Sequence, residues 1–391
     1  MISVGVEHKV TIEKLIVKCV EAAYPFVIFR YPNTETFYFL LSKNRETVKQ
    51  KIDFEECPAG FVVAPFHSTV DLPYLYAADI FFEITDKIDS ETVEKLSEFL
   101  DFKENPPYEK LYIKENFEEK PEVRNTYLEK VSSIVEILKG TTTNKVVFSR
   151  SNKIGKLGGN DYFSALKHLS QKHPSAFINF INLPWKNQIW IGASPETLVH
   201  QNPEGKFSTV ALAGTQPSVD SEGNEIPTAN ALWSQKEIEE QALVSRYIIN
   251  CLKKIRVREY EEKGPRSVKA GNLIHLCSTY TIDSKSINFQ NLSSVMLDLL
   301  HPTSAVCGMP KQEALEILDQ LEGYDRELYS GYIGPINIQN DSHLFVNIRS
   351  LKIENDEITL FSGGGITADS SPEKEWIETE IKQKSIRAIF E

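Results

Sequence analysis

Cysteine is scarce: five residues in a chain of 391, at positions 19, 57, 251, 277 and 307, with no CxxC pair among them. An odd, scattered set excludes a disulfide framework and a cysteine zinc site, and fits reduced thiols in a cytoplasmic protein. Histidine is also sparse, eight residues with no pair at metal-ligand spacing. No apolar run approaches the roughly 20 residues that cross a bilayer. Residues 1–26 lack the apolar core and small-residue cleavage site of a secretory signal. Positive charge is in deficit, with 43 Lys and Arg against 55 Asp and Glu, a formal net charge of -12. Nucleic acid needs clustered basic residues, so it is excluded as a partner. A small anionic substrate is not excluded, because a local pocket can bind one whatever the net charge. There is no GxGxxG, no Walker pattern and no GxSxG. Internal repeats and low-complexity tracts are absent as well.

What remains is an ordinary globular balance, 41% hydrophobic and 25% charged. Strand-like runs at FVIFRY, FYFLLS and GFVVAPF share the first third with helical stretches at 11–23 and 90–100. The charged, Pro-containing segment 101–122 reads as a connector. It divides residues 1–120, without assigned function, from a catalytic region at 121–391. Further helices are expected at 122–139, 160–172 and 235–254, and strands at 145–150, 176–181, 188–193 and from Phe207 toward LAGT. The segment 216–227 reads as a polar loop. Ser234 and Glu237 form a capping box for the helix at 235–254. Strands outnumber simple βαβ alternation and follow one another like hairpins, so the fold class is α+β with a large antiparallel component.

Several residues could carry chemistry. Glu237 and Glu240 share one helix face; Glu375, Glu378 and Lys382 share another. Two such faces could hold a hard cation through oxygen, although a lone ExxE is usually a solvated surface. Gly363, Gly364 and Gly365 read as a tight strand-to-helix turn that would also let backbone N–H groups approach an anion. Arg349 reads as a half-buried strand residue whose planar fork wants a carboxylate; an internal ion pair would satisfy it equally. Lys145 opens a strand and Glu196 follows one. Each is exposed by default, and acid–base work would require burial in a pocket. His275 lies in an apolar stretch and reads as a hydrogen-bonded core histidine, and His301 as structural.

The order of these features resembles a known family. KVVFSR (145–150), GASPE (192–196), ALAGT (211–215) and KEIEEQ (236–241) come first. HL (275–276), LLHPTSAVCGMP (299–310), EGYDRELYSGYIG (322–334), NIRS (347–350), SGGGI (362–366) and EWIETEIK (375–382) follow. Together they resemble the chorismate-utilising enzymes. The resemblance implies two facing antiparallel sheets with outer helices, and a cleft that binds chorismate. It implies Mg2+ on Glu240 and Glu378, with Glu237 and Glu375 acting directly or through water. It places Tyr329, Arg349, Gly363, Gly364, Gly365 and Lys382 on the substrate carboxylates. Ala213, Gly214, Thr215, His275 and Ala305 would complete the binding pocket. Water-adding members keep lysine where Lys145 stands; ammonia-adding members carry glutamine. Lys145 would be the general base and Glu196 the general acid of conversion to isochorismate. Ala213 replaces the nucleophilic lysine of aminodeoxychorismate-forming relatives. Gln241 departs from the histidine common after the metal-binding glutamate. A member that goes on to salicylate, or a non-catalytic chorismate-binding protein, is the alternative. A monomer with no glutamine amidotransferase subunit is expected.

Overall fold

Alternation along the strands decides the architecture. In Phe26–Arg30, Val27 and Phe29 point to one side, Phe26 and Ile28 to the other, and all four are buried. A strand apolar on both faces must be covered on both. In the computed structural model, which describes residues 10–45, 48–102, 107–220, 222, 224–270 and 273–391, this happens throughout. Two large antiparallel sheets face each other, and helices cover their outer faces.

The first sheet runs Gly308–Met309, Lys145–Gly158, Glu357–Ile366, Ser350–Glu354, Gln188–Ser194, Phe177–Leu183, Phe26–Arg30, Phe37–Leu41, Ile80–Ile84. The second runs Glu261–Ala270, Leu273–Asp283, Lys206–Pro217, Thr197–Gln201, Ser342–Val346, Tyr332–Ile336, Gly60–Ala64, Tyr74–Ala77, Val48–Lys49. Aromatic rings fill the space between them. Phe177 stacks on Phe345 across the sheets at 4.1 Å and 9°. Trp190, Phe361 and Tyr329 form a continuous stack, at 5.2 Å and then 5.4 Å, that leads to one end of the interface. Each fully buried ring contributes on the order of 1.5–3 kcal/mol.

The first sheet's outer face is covered by Ile12–Glu21, Ser90–Ser97 and Tyr162–Lys172. Pro121–Lys139, Gln235–Lys254, Leu292–Leu300 and Lys311–Leu321 pack in the other outer core. The capping box at Ser234 and Glu237 is formed in full. Strands between Phe26 and Ile84 stand at one end of each sheet and Tyr112–Asn116 pairs near the other end of the first, so this third is built into both layers.

Three local readings are corrected. The connector at 101–122 contains a strand, Tyr112–Asn116, paired with Lys145–Gly158; its residues 103–106 lie outside the described residues, as do 221 and 223 of the polar loop. The glycines at 363–365 are not a turn: they lie inside the strand Glu357–Ile366, opposite Ser149, Phe148 and Val147. Arg349 is not in a strand either. It sits between Ser342–Val346 and Ser350–Glu354 in the left-handed region, at φ 53°.

Candidate active site

Two chain crossings make the site. At Ser194-Pro195-Glu196-Thr197 the chain leaves the first sheet and enters the second. At Asn347-Ile348-Arg349 it returns from the second to the first. The crossings bind each other: Val346 N donates to Glu196 O at 3.0 Å, Ala193 N to Arg349 O at 3.1 Å. Ser194 Oγ donates to Val346 O at 2.5 Å. A strand cannot change sheets without breaking its alternation, and the break releases Glu196 and Arg349 from the ladder. Both are buried, and both line a cavity at the end of the aromatic stack.

The opposite wall comes from a bulge. Between Ala213 and Gln216 the strand Lys206–Pro217 slips register against Leu273–Asp283. Gly214 takes φ 67°, which suits glycine, and an added Cβ would stand 3.2 Å from Trp233. The bulge aims Gly214 O at His275 Nδ1, 2.8 Å away, and Gly214 N at Glu240 Oε2, 3.3 Å away. Burial, with Arg349 nearby, pushes His275 down to about 3, so the ring is neutral. With Nδ1–H donating to Gly214, Nε2 is left as a buried acceptor without a partner.

The glycines contribute space and N–H groups. Ser149 N donates to Glu322 Oε1 at 2.7 Å and Val147 N to Cys307 O at 2.9 Å, away from their partners Gly363 and Gly365. Those are non-hydrogen-bonded pairs, so the polar groups of Gly363 and Gly365 face away from the ladder. Lys382 Nζ takes Gly363 O at 2.8 Å. A Cβ on Gly365 would lie 2.5 Å from Lys145 Cε, and one on Gly364 3.0 Å from Glu375 Oε2 and 3.9 Å from Glu378 Oε1. Side chains here would collide with the charged groups gathered behind the strand.

Those groups are three acid–lysine pairs. Lys145 Nζ meets Glu240 Oε1 at 2.6 Å, Lys382 meets Glu378 at 2.6 Å, and Lys236 meets Glu375 at 3.0 Å. Lys145 and Glu375 are buried, against the default for an ion. Burial alone would raise Glu240, but the charge and hydrogen bond of Lys145, with Lys382 and Lys236, hold it down to about 2. Burial likewise would lower Lys236; Glu375, Glu378 and Glu240 hold it above the ordinary lysine value. Glu196 has no such partner. Desolvation pushes it up to about 8 against the pull of Lys145 and Lys382, so it keeps its proton at neutral pH. Arg349 Nη1 and Glu375 Oε2 are buried without partners.

The cavity thus joins Glu196, Ala213, Gly214, Thr215, Glu240, His275, Ala305, Tyr329, Arg349, Gly363, Gly365, Glu378 and Lys382. Lys145, Gly364 and Glu375 stand directly behind that wall. Glu237 is engaged elsewhere, its carboxylate accepting from Ser234 N at 2.8 Å in the capping box. Among the described residues no group of three His, Cys, Asp or Glu side chains is drawn together as for a bound metal. The donor set nevertheless suits a hard cation: all oxygen, with a buried Glu375 oxygen unused and glycine leaving room beside it. Lys236 was not foreseen; its place four residues before Glu240 on one helix face was the available signal. Nor were Arg326 and Glu322 foreseen. They form a buried ion pair at 2.6 Å, and Arg326 also holds the carbonyls of Val306 and Val147 beside the cavity. No helix among the described residues is long and apolar enough to cross a membrane.

The family model described as chorismate binding enzyme matches residues 70–391. Isochorismate synthase EntC of Escherichia coli (strain K12) is 29% identical over 268 residues, 68% of this chain and 67% of that protein. Isochorismate synthase DhbC of Bacillus subtilis is 30% identical over 254 residues, 63% and 62% of the two chains. In fold, the chain is similar to MenF, the menaquinone-specific isochorismate synthase from Escherichia coli, with TM-score 0.77 at 17% identity over 98% of this chain and 92% of that one. Anthranilate synthase component I from Streptococcus pneumoniae shares the fold at TM-score 0.63, with 19% identity over 92% and 89% of the two chains.

Proposed function

Because the chain belongs to the family of chorismate-binding enzymes, we propose that it is an isochorismate synthase, an isomerase that adds water at ring carbon 2 of chorismate and releases the carbon 4 hydroxyl as water. Curated isochorismate synthases at about 30% identity support this reading. The observation that carries it is the contrast between Glu196, unpartnered and protonated in the cavity wall, and Lys145, buried behind Glu240. Hydroxide is a poor leaving group and water a poor nucleophile, so the reaction needs an acid and a base at separate atoms. Glu196 is the proton donor to the departing hydroxyl. Lys145, once it has given up the proton that pairs it with Glu240, is the base for the incoming water. This lysine is the residue that water-adding relatives are expected to carry.

Arg349 supplies an unpaired Nη1 for a substrate carboxylate, and Lys382, Tyr329 and the N–H groups of Gly363 and Gly365 complete the anion site. His275, neutral with a free Nε2, suits a substrate hydroxyl and not a carboxylate. Glu240, Glu375 and Glu378 are the residues that would hold Mg2+. Bound there, the ion supplies positive charge to a ring carboxylate. Glu240 is also the counter-ion of Lys145, so the two ends of the site are tied through one carboxylate.

The test is incubation with chorismate and MgCl2, resolving products by chromatography with and without a chelator. Isochorismate that accumulates to equilibrium with chorismate, and fails to form under chelation, is the expected result. Salicylate with pyruvate would move the reading to a salicylate synthase. Unchanged chorismate would leave a binding protein.

A further inference from the structure

Lys145 meets the substrate cavity only past Gly365 and Glu240. It lines a second, roomier cleft on the other side of the wall. Glu240 and Gly365 belong to both linings and form the partition. That partition is thin because residue 365 has no side chain: a Cβ there would stand 2.5 Å from Lys145 Cε and 3.2 Å from Glu240 Oε1. The second cleft is polar near the lysine, where Thr143, Asn144, Lys236 and Asp369 contribute. Apart from the partition residues Glu240 and Gly365, its lining takes no part in the substrate-binding account.

We propose that this cleft is the water port of the enzyme, through which the nucleophile reaches Lys145 while chorismate fills the first cavity. The inference rests on the isochorismate synthase reading above. A substrate seated against Arg349 and the glycine strand closes its own cavity to bulk water. Yet each turnover takes up a water and releases one. The incoming oxygen passes beside Gly365, forms a bond to ring carbon 2 and gives its proton to Lys145, which must first have released its own extra proton to solvent as the neutral amine; the proton gained is returned through solvent to Glu196 after turnover. The ring double bonds shift, the carbon 4–oxygen bond breaks, and Glu196 protonates the leaving hydroxyl. Nothing is oxidised or reduced, and one water is gained for one lost. The gain occurs at Lys145, whose access is the second cleft. The loss occurs at Glu196, which lines only the first. A polar, roomy passage of this kind holds water readily.

The port can be plugged without touching the catalytic groups. Ala242 is exposed on the helix Gln235–Lys254 and lines the second cleft alone. The five native cysteines are all buried, so a bulky thiol-specific disulfide reagent will select an Ala242→Cys variant. Unmodified Ala242→Cys should match the parent. After modification kcat should fall about tenfold or more with KM for chorismate unchanged, and a thiol reductant should restore it. Ala368→Cys, on a different segment of the same lining, should respond alike. Unchanged kcat in both modified proteins overturns the port. So does a rise in KM at constant kcat, which would make the cleft the substrate's entrance. If the unmodified variants and the parent all leave chorismate untouched, the synthase reading falls and the port with it.

Discussion

Two glutamates line the same cavity and end in different protonation states, one a neutral acid and one an anion. Glu196 sits where the chain crosses between sheets, desolvated and without a hydrogen-bonded cation, and is pushed up to about 8. Glu240 sits on a helix with Lys145 at 2.6 Å and is held down to about 2. Burial pushes both upward; only a cation in contact reverses it. One pocket can therefore keep a proton donor and a permanent anion side by side at neutral pH.

The strongest way to break this contrast is to remove the donor. Glu196→Gln keeps the shape and loses the proton, so turnover of chorismate should fall about 10²–10⁴-fold with binding retained. Product chromatography and a binding titration separate the two effects, and full activity would end the general-acid role. Lys145→Ala attacks the other end, with a loss of similar order. It also strips Glu240 of its partner, so the Glu240 carboxyl should titrate well above about 2 in that variant. A smaller effect is expected of Glu378→Ala: about 10–100-fold weaker Mg2+ binding by calorimetry, with substrate affinity falling alongside. An unchanged affinity would remove Glu378 from the cation site.

The pH dependence sharpens the same contrast. Because Glu196 must be protonated to act, kcat should decline as pH rises through about 8. Stability follows the same sign. A carboxyl raised from 4.5 in the unfolded chain to about 8 in the fold contributes stability fully below 4.5, and loses it as pH rises through about 8. Glu196→Gln should flatten that decline, raising the melting temperature at pH 8 relative to the parent while changing it little near pH 4. Equal melting curves at both pH values would show that Glu196 is already ionised in the fold.

Much of this was legible in the sequence, for reasons that differ by element. The helix at Gln235–Lys254 announces itself through its capping box and lysine-rich end, and it lies where the pattern put it. The strands through Phe26–Arg30 and Phe177–Leu183 follow from apolar runs. Arg349 and the glycines were misplaced because their conformation is set by long-range structure. A crossing between sheets looks locally like a strand, and three glycines inside a strand look locally like a turn. The burial of Lys145 was invisible for the same reason. Its partner is 95 positions away along the chain, and no local pattern carries that information.

The first third of the chain has a different lesson. Its strands between Phe26 and Ile84 stand at one margin of both sheets, against Phe177–Leu183 in one and Tyr332–Ile336 in the other. Cutting the chain back to its chemistry-bearing part would therefore uncover two long rows of unpaired backbone groups at once, the surface on which chains stick to one another. Such a fragment would keep its acid, base and anion site and still precipitate. These strands act as the hem of the fabric, finishing both edges at once.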